Sequence, residues 1–97
     1  MNLYLISQRK VTGFDVFDSA IVAATSPDDA RKIHPSSVVT HIKNEKWMGT
    51  YSEDNKEYIY EGYNDWINYI DKDQIKVEFL GKTEKERGVI LTSFKAG

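Results

Sequence analysis

Residues 25–35, TSPDDARKIHP, organise the chain because they specify both ends of one short helix between two groups of strand-like segments. Ser26 suits an N-cap, since its hydroxyl can accept a hydrogen bond from a backbone N–H of the first turn. Pro27 loses no hydrogen bond at the first helical position, and the two aspartates after it favour the positive end of the helix dipole. Pro35 disfavours helical geometry at the residue before it. The stretch therefore predicts a helix over about residues 27–34.

Strand-like segments lie on both sides of this helix. Residues 3–6 are apolar on both faces, as in a central strand, and residues 19–24 follow a polar stretch, which predicts an antiparallel hairpin. Further strands are expected at residues 38–42, 47–51, 58–60, 75–79 and 89–94. The predicted fold class is therefore α+β, a mostly antiparallel β-sheet with one short helix packed on one face through Ala30 and Ile33.

The segment 75–79 shows the clearest period of two. Ile75, Val77 and Phe79 alternate there with Lys76 and Glu78. This alternation is typical of a half-buried strand with one wet face. The three apolar side chains are therefore expected to face the core.

The composition is that of one small domain spanning residues 1–97. The chain is 40% hydrophobic, and 15 acidic against 13 basic side chains give a formal net charge of -2. That balance argues against a basic nucleic-acid binder and against a disordered chain. Without cysteine there is no disulfide framework, thiolate nucleophile or cysteine zinc site. No apolar run is long enough for a membrane span or a signal peptide, so we expect a cytoplasmic protein with no membrane partner.

Recognisable catalytic motifs are missing from the sequence. It contains no P-loop, G-x-G-x-x-G, G-x-S-x-G or H-E-x-x-H, the patterns that position a phosphate, a nucleophile or a metal. His34 is expected to act as a cation at the helix C-terminus. We predict no enzyme, no cofactor and no metal site, with a small enzyme using His34 or His41 as the disfavoured alternative.

Aromatic residues concentrate in the least regular part of the chain, between positions 47 and 69. Both tryptophans and five of the six tyrosines fall there, and acidic residues outnumber basic ones. Tyrosine and tryptophan are enriched at binding hot spots, so this segment is a candidate binding surface. The alternative is that these rings pin a long excursion of the chain to the core. The predicted partner-binding residues are Trp47, Tyr51, Tyr58, Tyr60 and Trp66.

Charge separates the possible ligands of such a surface. Stacked nucleobases need cations along the nucleic-acid backbone, and the acidic segment has the wrong sign, so we expect no nucleic-acid partner. A free nucleotide-like ligand needs only one or two rings and a few cations. The candidate cations are Lys43, Lys46, Lys82 and Arg87. An acidic aromatic face is also suited to docking on a basic protein.

Five blocks spread over nearly the whole chain carry a resemblance: LYLISQ (3–8), DSAIVAA (18–24), ARKIHP (30–35), KWMGTY (46–51) and GVILTSF (88–94). Together they resemble a group of small uncharacterised proteins found mainly in bacteriophage genomes. The resemblance implies a cytoplasmic protein of an infected or lysogenic bacterial host that acts by binding host or defence components. It assigns no role to any single residue.

The preferred hypothesis is a phage-type accessory protein acting as a non-enzymatic binding module. It would engage and block a host or defence protein through the aromatic, acidic segment of about residues 47–69. The alternative is a homo-oligomeric sponge for a small nucleotide-like ligand. A domain of 97 residues has little room for an enclosed pocket, so a site shared between subunits is the natural form of this alternative.

Overall fold

A computed structural model of the protein describes residues 1–8, 16–60 and 65–95. That part of the chain is mostly antiparallel β-structure with little helix, which confirms the predicted α+β class. A 3-10 helix, Tyr69–Gln74, lies between the fifth and sixth strands. The remaining elements, in chain order, are β1 (Asn2–Ser7), β2 (Val16–Ala24), α1 (Pro27–Ala30), β3 (Val39–Lys43), β4 (Lys46–Thr50), β5 (Glu57–Ile59), β6 (Lys76–Lys82) and β7 (Gly88–Lys95).

Four strands form the larger sheet, in the order β6-β1-β2-β7 with every neighbouring pair antiparallel. β1 is an inner strand, as its apolar sequence predicted, and it pairs with β2 as the predicted hairpin. Tyr4 lies opposite Val22 and Ile6 lies opposite Ala20, and all four side chains are buried. These cross-strand pairs form the centre of the sheet's inner face.

The other three strands form a separate sheet in the order β3-β4-β5. Asn44 and Glu45 adopt φ angles of 52° and 59°, the left-handed region that a tight two-residue hairpin turn requires. β4 therefore folds straight back on β3, and β5 adds to β4 through the next turn. Local turn geometry thus produces two sheets where the sequence had suggested one.

Helix α1 begins as predicted but is shorter than residues 27–34. The Ser26 hydroxyl accepts a hydrogen bond from the Asp29 N–H at 3.1 Å, which confirms the N-cap. After Ala30 the chain tightens, because the N–H groups of Lys32 and Ile33 bond to carbonyls only three residues back. Ala30 and Ile33 are both buried, as expected.

One hydrophobic core joins the two sheets, the helix and the segment after residue 64. Its buried members are Tyr4, Ile6, Ala20, Val22, Ala24, Ala30, Ile33, Trp47, Trp66 and Ile75. The Trp47 indole Nε1 donates to the Ile67 carbonyl at 2.8 Å, which fastens β4 to the irregular segment beside it. Among the described residues, no helix is long and apolar enough to cross a membrane.

The prediction that the apolar side chains of residues 75–79 face the core is confirmed only for the first part of the segment. Ile75 is buried and Val77 is half-buried, but the expectation that Phe79 faces the core was wrong, since Phe79 is 58% exposed. The pairing of β1 with β6 shifts register between Leu3 and Tyr4, at the position opposite Phe79. Phe79 lies opposite the buried Tyr4, with ring centroids 5.8 Å apart, but β6 is the outer strand of this sheet, so the Phe79 ring stays largely exposed at the border of the core.

Candidate functional site

The five predicted partner-binding residues do not lie together on one surface. Trp47 and Trp66 are only 4% and 6% exposed and belong to the core, and Tyr60 packs against that core from a half-buried position. Tyr51 is exposed and Tyr58 is half-exposed. Residues 61–64 of the aromatic segment, including Tyr63, lie outside the described residues. The structure thus gives the tryptophans the pinning role, while Tyr51 and Tyr58 are available to a partner.

The buried rings surround His34. Its imidazole is met edge-on by four aromatic rings, and its side chain is 1% exposed. The ring-centroid distances are 6.3 Å to Phe17, 5.1 Å to Trp47, 5.1 Å to Tyr60 and 6.4 Å to Trp66. Nδ1 accepts a hydrogen bond from the Ser36 N–H at 2.9 Å, which places the proton of the neutral ring on Nε2.

Burial among these rings lowers the pKa of His34 from 6.5 to about 4. The side chain is therefore neutral at neutral pH, and the expected role of His34 as a cation at the helix C-terminus was wrong. The reason is tertiary: the tight turn after α1 directs the imidazole inward between the two sheets, where a charge is poorly solvated.

Asp65 closes the other side of this cluster. The Tyr60 hydroxyl donates to Asp65 Oδ2 at 2.6 Å, and Asp65 Oδ1 lies 3.7 Å from His34 Nε2. The Asp65 carbonyl accepts from the Phe17 N–H at 2.9 Å and from the Gln8 side-chain amide at 3.0 Å. His34 and Asp65 thus lie side by side, His34 bonded to the helix exit through Ser36 and Asp65 bonded to Tyr60, Phe17 and Gln8.

A cleft of about 560 Å³ lies beside His34. We call it the His34 cleft. Its walls come from the helix exit, β3, β4 and the start of β7. The lining residues are Lys32, Ile33, His34, Ser36, Ser37, Val39, Thr40, His41, Ile42, Trp47, Arg87, Gly88 and Val89.

The lining of the His34 cleft has a distinct charge. Lys32, His41 and Arg87 bring three basic side chains to it from three separate elements, and Ser36, Ser37 and Thr40 add hydroxyls. None of the described lining residues is acidic, although the chain as a whole is. Such a lining suits an anion that also has an apolar part, because the Lys32 and Arg87 cations and several hydroxyls lie beside apolar walls.

Arg87 is fixed by an ion pair with Asp29. Its Nε donates to both carboxylate oxygens of Asp29, at 2.9 and 3.0 Å. Partial burial alone would raise the pKa of Asp29, but the bonds from the Thr25 N–H and from Arg87 outweigh it and lower that pKa. Asp29 thus stays ionised and holds Arg87 through the physiological pH range.

The sequence singled out Arg87 among four candidate cations but did not single out Lys32, which also lines the His34 cleft. Lys43 and Lys46 line a different cleft, of about 400 Å³, beside Tyr58. Lys82 lies at the end of β6. Lys32 follows a helix whose end could be read from the sequence, but its approach to Arg87 depends on long-range packing.

His41 lies at the centre of a hydrogen-bonded chain along the second sheet. Its Nδ1 is 2.8 Å from Thr40 Oγ1 and its Nε2 is 2.9 Å from Glu57 Oε1. Lys43 also donates to Glu57, at 2.7 Å, and this bond is the largest of the contacts that lower the pKa of Glu57. The order hydroxyl, imidazole, carboxylate is that of a nucleophile with its base, but the side chains of His41 and Glu57 are 32% and 41% exposed. Water competes for such bonds, so the chain serves mainly to link β3 to β5.

Tyr51 and Tyr58 form a tilted pair on the β4–β5 hairpin, with ring centroids 4.5 Å apart. The Tyr58 ring lies over Gly49, where an added Cβ would overlap it. Glu53, Asp54 and Glu57 are exposed around the pair. The hairpin is therefore an acidic surface with two available tyrosines, the part of the predicted binding surface that stays accessible.

β7 presents an apolar outer edge. In the described sheet it pairs only with β2, and Val89, Ile90 and Leu91 are 39%, 42% and 62% exposed. An exposed, uncharged edge strand is a template for pairing with another chain. This edge begins at the His34 cleft, since Gly88 and Val89 belong to both.

Comparison with known proteins found no match among protein-family models, curated proteins or solved structures. Within residues 1–8, 16–60 and 65–95, no group of three His, Asp or Glu side chains is placed to hold a metal ion.

Proposed function

We propose that the protein is a non-enzymatic binding module that sequesters a small, anionic, nucleotide-like ligand in the His34 cleft as a homo-oligomer. The observation that carries this proposal is the concentration of Lys32, His41 and Arg87 around a cleft without an acidic lining residue among those described. The resemblance to phage proteins supports a site of action in the cytoplasm of an infected or lysogenic bacterium.

The cleft matches both parts of such a ligand. A phosphate group needs several N–H donors with positive charge, and a guanidinium can engage two of its oxygens at once. A base or sugar needs apolar surface, which Val39, Ile42 and Val89 supply. The volume of about 560 Å³ lies in the range of about 300–1,000 Å³ typical of small-molecule sites.

The open cleft also explains the proposed homo-oligomer. One subunit leaves the ligand exposed on the side where β7 begins, and the apolar edge of β7 continues from that side. A second copy that covers β7 buries Ile90 and Leu91 and adds a wall to the cleft. A two-fold arrangement does this with one self-complementary surface.

Calorimetric titration of the purified protein with ADP tests the ligand, with adenosine as the probe that lacks phosphate. We expect ADP to bind and adenosine to bind at least tenfold more weakly. Arg87→Ala should weaken ADP binding by about tenfold or more, because it removes a charge-assisted donor. The matched control is Lys85→Ala, which removes one positive charge from the same loop outside the cleft. Equal affinity of these two variants for ADP contradicts the proposed site.

Light scattering on a size-exclusion column tests the oligomer. The wild type should elute as a multiple of the monomer mass, and Leu91→Glu should elute as a folded monomer, since it places a charge in the middle of the apolar edge. Glu84→Ala, in the neighbouring loop, is the control and should keep the oligomer. A monomeric wild type contradicts this part of the proposal.

The acidic tyrosine hairpin supports a second candidate, a module that docks on and blocks a host or defence protein. The specific observation is the exposed Tyr51–Tyr58 pair at 4.5 Å among Glu53, Asp54 and Glu57. Aromatic rings with surrounding charge suit a basic protein partner. Co-purification from infected bacteria tests it: Tyr51→Ala and Tyr58→Ala should lose a captured protein that Arg87→Ala retains. Equal capture by all three variants argues against this candidate.

A further inference from the structure

We infer that Asp29 is a positioning residue for ligand binding. Its carboxylate accepts hydrogen bonds from Nε of Arg87 and leaves the two terminal nitrogens of the guanidinium free for an anion. This inference rests on the proposed function of the His34 cleft and states how Arg87 is oriented before the ligand binds. Of the three nitrogens of the Arg87 guanidinium, Asp29 bonds only Nε.

The contact leaves the outer end of Arg87 available. Neither terminal nitrogen of Arg87 donates to a side chain or carbonyl within the described residues, and the side chain is 44% exposed. The guanidinium is planar, so a contact at Nε fixes the direction in which both terminal nitrogens point, and these can engage two oxygens of a phosphate. Arg87 lines the His34 cleft, so the ligand and Asp29 can bind different donors of the same guanidinium.

Asp29 is itself fixed at the start of α1. Thr25 donates to Asp29 Oδ2 twice, through its N–H at 3.0 Å and through its hydroxyl at 3.2 Å. The Asp29 N–H is tied in turn to the Ser26 hydroxyl at 3.1 Å. The helix cap thereby sets the position of a carboxylate, and that carboxylate sets the position of an arginine 58 residues further along the chain.

Without this contact the Arg87 side chain would be free to turn. It follows Glu84, Lys85 and Glu86, which are all exposed in the loop between β6 and β7. A long side chain at the end of such a loop loses several rotatable bonds when it binds a ligand. Holding Nε in advance removes part of that loss, which is how a residue outside the ligand contact raises affinity.

The neighbouring Asp28 provides a matched control. It lies in the same first turn, and its exposed carboxylate bonds Arg31 at 3.2 Å and does not touch Arg87. Asp28→Asn and Asp29→Asn each remove one negative charge near the cleft. On charge alone, both variants should bind an anion slightly more tightly. The inference predicts that Asp29→Asn binds the anion more weakly than the wild type, and that Asp28→Asn does not.

The experiment is calorimetric titration of five proteins with ADP: wild type, Asp28→Asn, Asp29→Asn, Arg87→Ala and the double variant Asp29→Asn/Arg87→Ala. Asp29→Asn should weaken ADP binding by about tenfold, and Asp28→Asn should leave it unchanged or slightly tighter. If Asp29 acts through Arg87, adding Asp29→Asn to Arg87→Ala should cause no further loss. This absence of a second loss separates positioning from general destabilisation.

The outcomes are distinguishable from failure of the proposed function. If the wild type binds neither ADP nor inorganic pyrophosphate, the proposed function is wrong and this inference falls with it. If the wild type binds ADP and Asp29→Asn binds equally well, only the role of Asp29 is overturned. If Asp29→Asn does not fold, Asp29→Ala replaces it, since alanine favours the helix and removes the contact to Arg87 Nε. Its ADP affinity should fall about tenfold, and wild-type affinity overturns the inference.

Discussion

Acid should destabilise this protein through His34 well above the pH at which its carboxylates are protonated. The pKa of His34 is lowered from 6.5 to about 4 by burial, so the unfolded chain binds a proton that the folded chain refuses between these values. Stability is therefore complete above pH 6.5, falls as the pH drops, and levels off below pH 4 with respect to this group. The difference of about 2.5 pKa units, at about 1.36 kcal/mol per unit, gives a maximum loss of about 3 kcal/mol.

Urea unfolding monitored by tryptophan fluorescence, at steps from pH 7 to pH 5, measures this loss where most carboxylates are still charged. The free energy of unfolding should fall by about 2 kcal/mol over that interval. His34→Gln should remove most of the pH dependence, although it lowers the stability at pH 7. His41→Gln is the control, because it removes the other imidazole and leaves the buried one in place. A wild-type stability that stays flat from pH 7 to pH 5 refutes the reasoning. So does a His34→Gln variant with the wild-type slope.

Two further predictions compare matched pairs of substitutions by urea unfolding at pH 7. Trp47→Phe should cost about 1 kcal/mol more than Trp66→Phe, because the first leaves the Ile67 carbonyl without its donor at 2.8 Å, whereas the indole N–H of Trp66 has no partner among the described residues. Similar losses for both variants contradict this assignment. Ser26→Ala should cost about 1 kcal/mol by removing the helix cap, and Ser52→Ala, at an exposed turn, should cost little. A neutral Ser26→Ala variant means that the cap hydrogen bond adds nothing.

The features of this fold that could be predicted are those that depend on residues close together in the sequence. The central position of residues 3–6, the hairpin they form with β2, and the cap at Ser26 all depend on patterns within a few positions. The exposed position of Phe79 was not predictable, because it follows from the outer position of β6 beside a strand more than 70 residues away. The neutral state of His34 was missed for the same kind of reason. Its sequence neighbours suggest a helix-end cation, but rings from four distant positions surround it.

The candidate site was still less visible in the sequence. Aromatic clustering indicated a binding surface at residues 47–69. Most of the aromatic rings described in that segment instead lie in the core or pack against it. Lys32, His41 and Arg87 come from three elements with no common spacing, so no motif could have joined them. The sequence argument was only that a small anionic ligand needs a few cations, and Arg87 was one of the four candidates it named. Lys32 and His41 also line the His34 cleft, whereas Lys43, Lys46 and Lys82 are not among its lining residues.

An acidic chain can still have a cleft with a basic lining, because carboxylates that do not line the cleft form hydrogen bonds with the basic residues that do. Asp29 bonds Arg87, and Glu57 bonds His41. A carboxylate in that place repels a bound anion at roughly 8 Å by about 0.5 kcal/mol in bulk water, and by about 2 kcal/mol at the lower effective dielectric constant near a protein surface. Immobilising a free arginine costs up to about 2 kcal/mol of side-chain entropy. Holding Arg87 in advance therefore offsets the repulsion, so an acidic protein can carry an anion site.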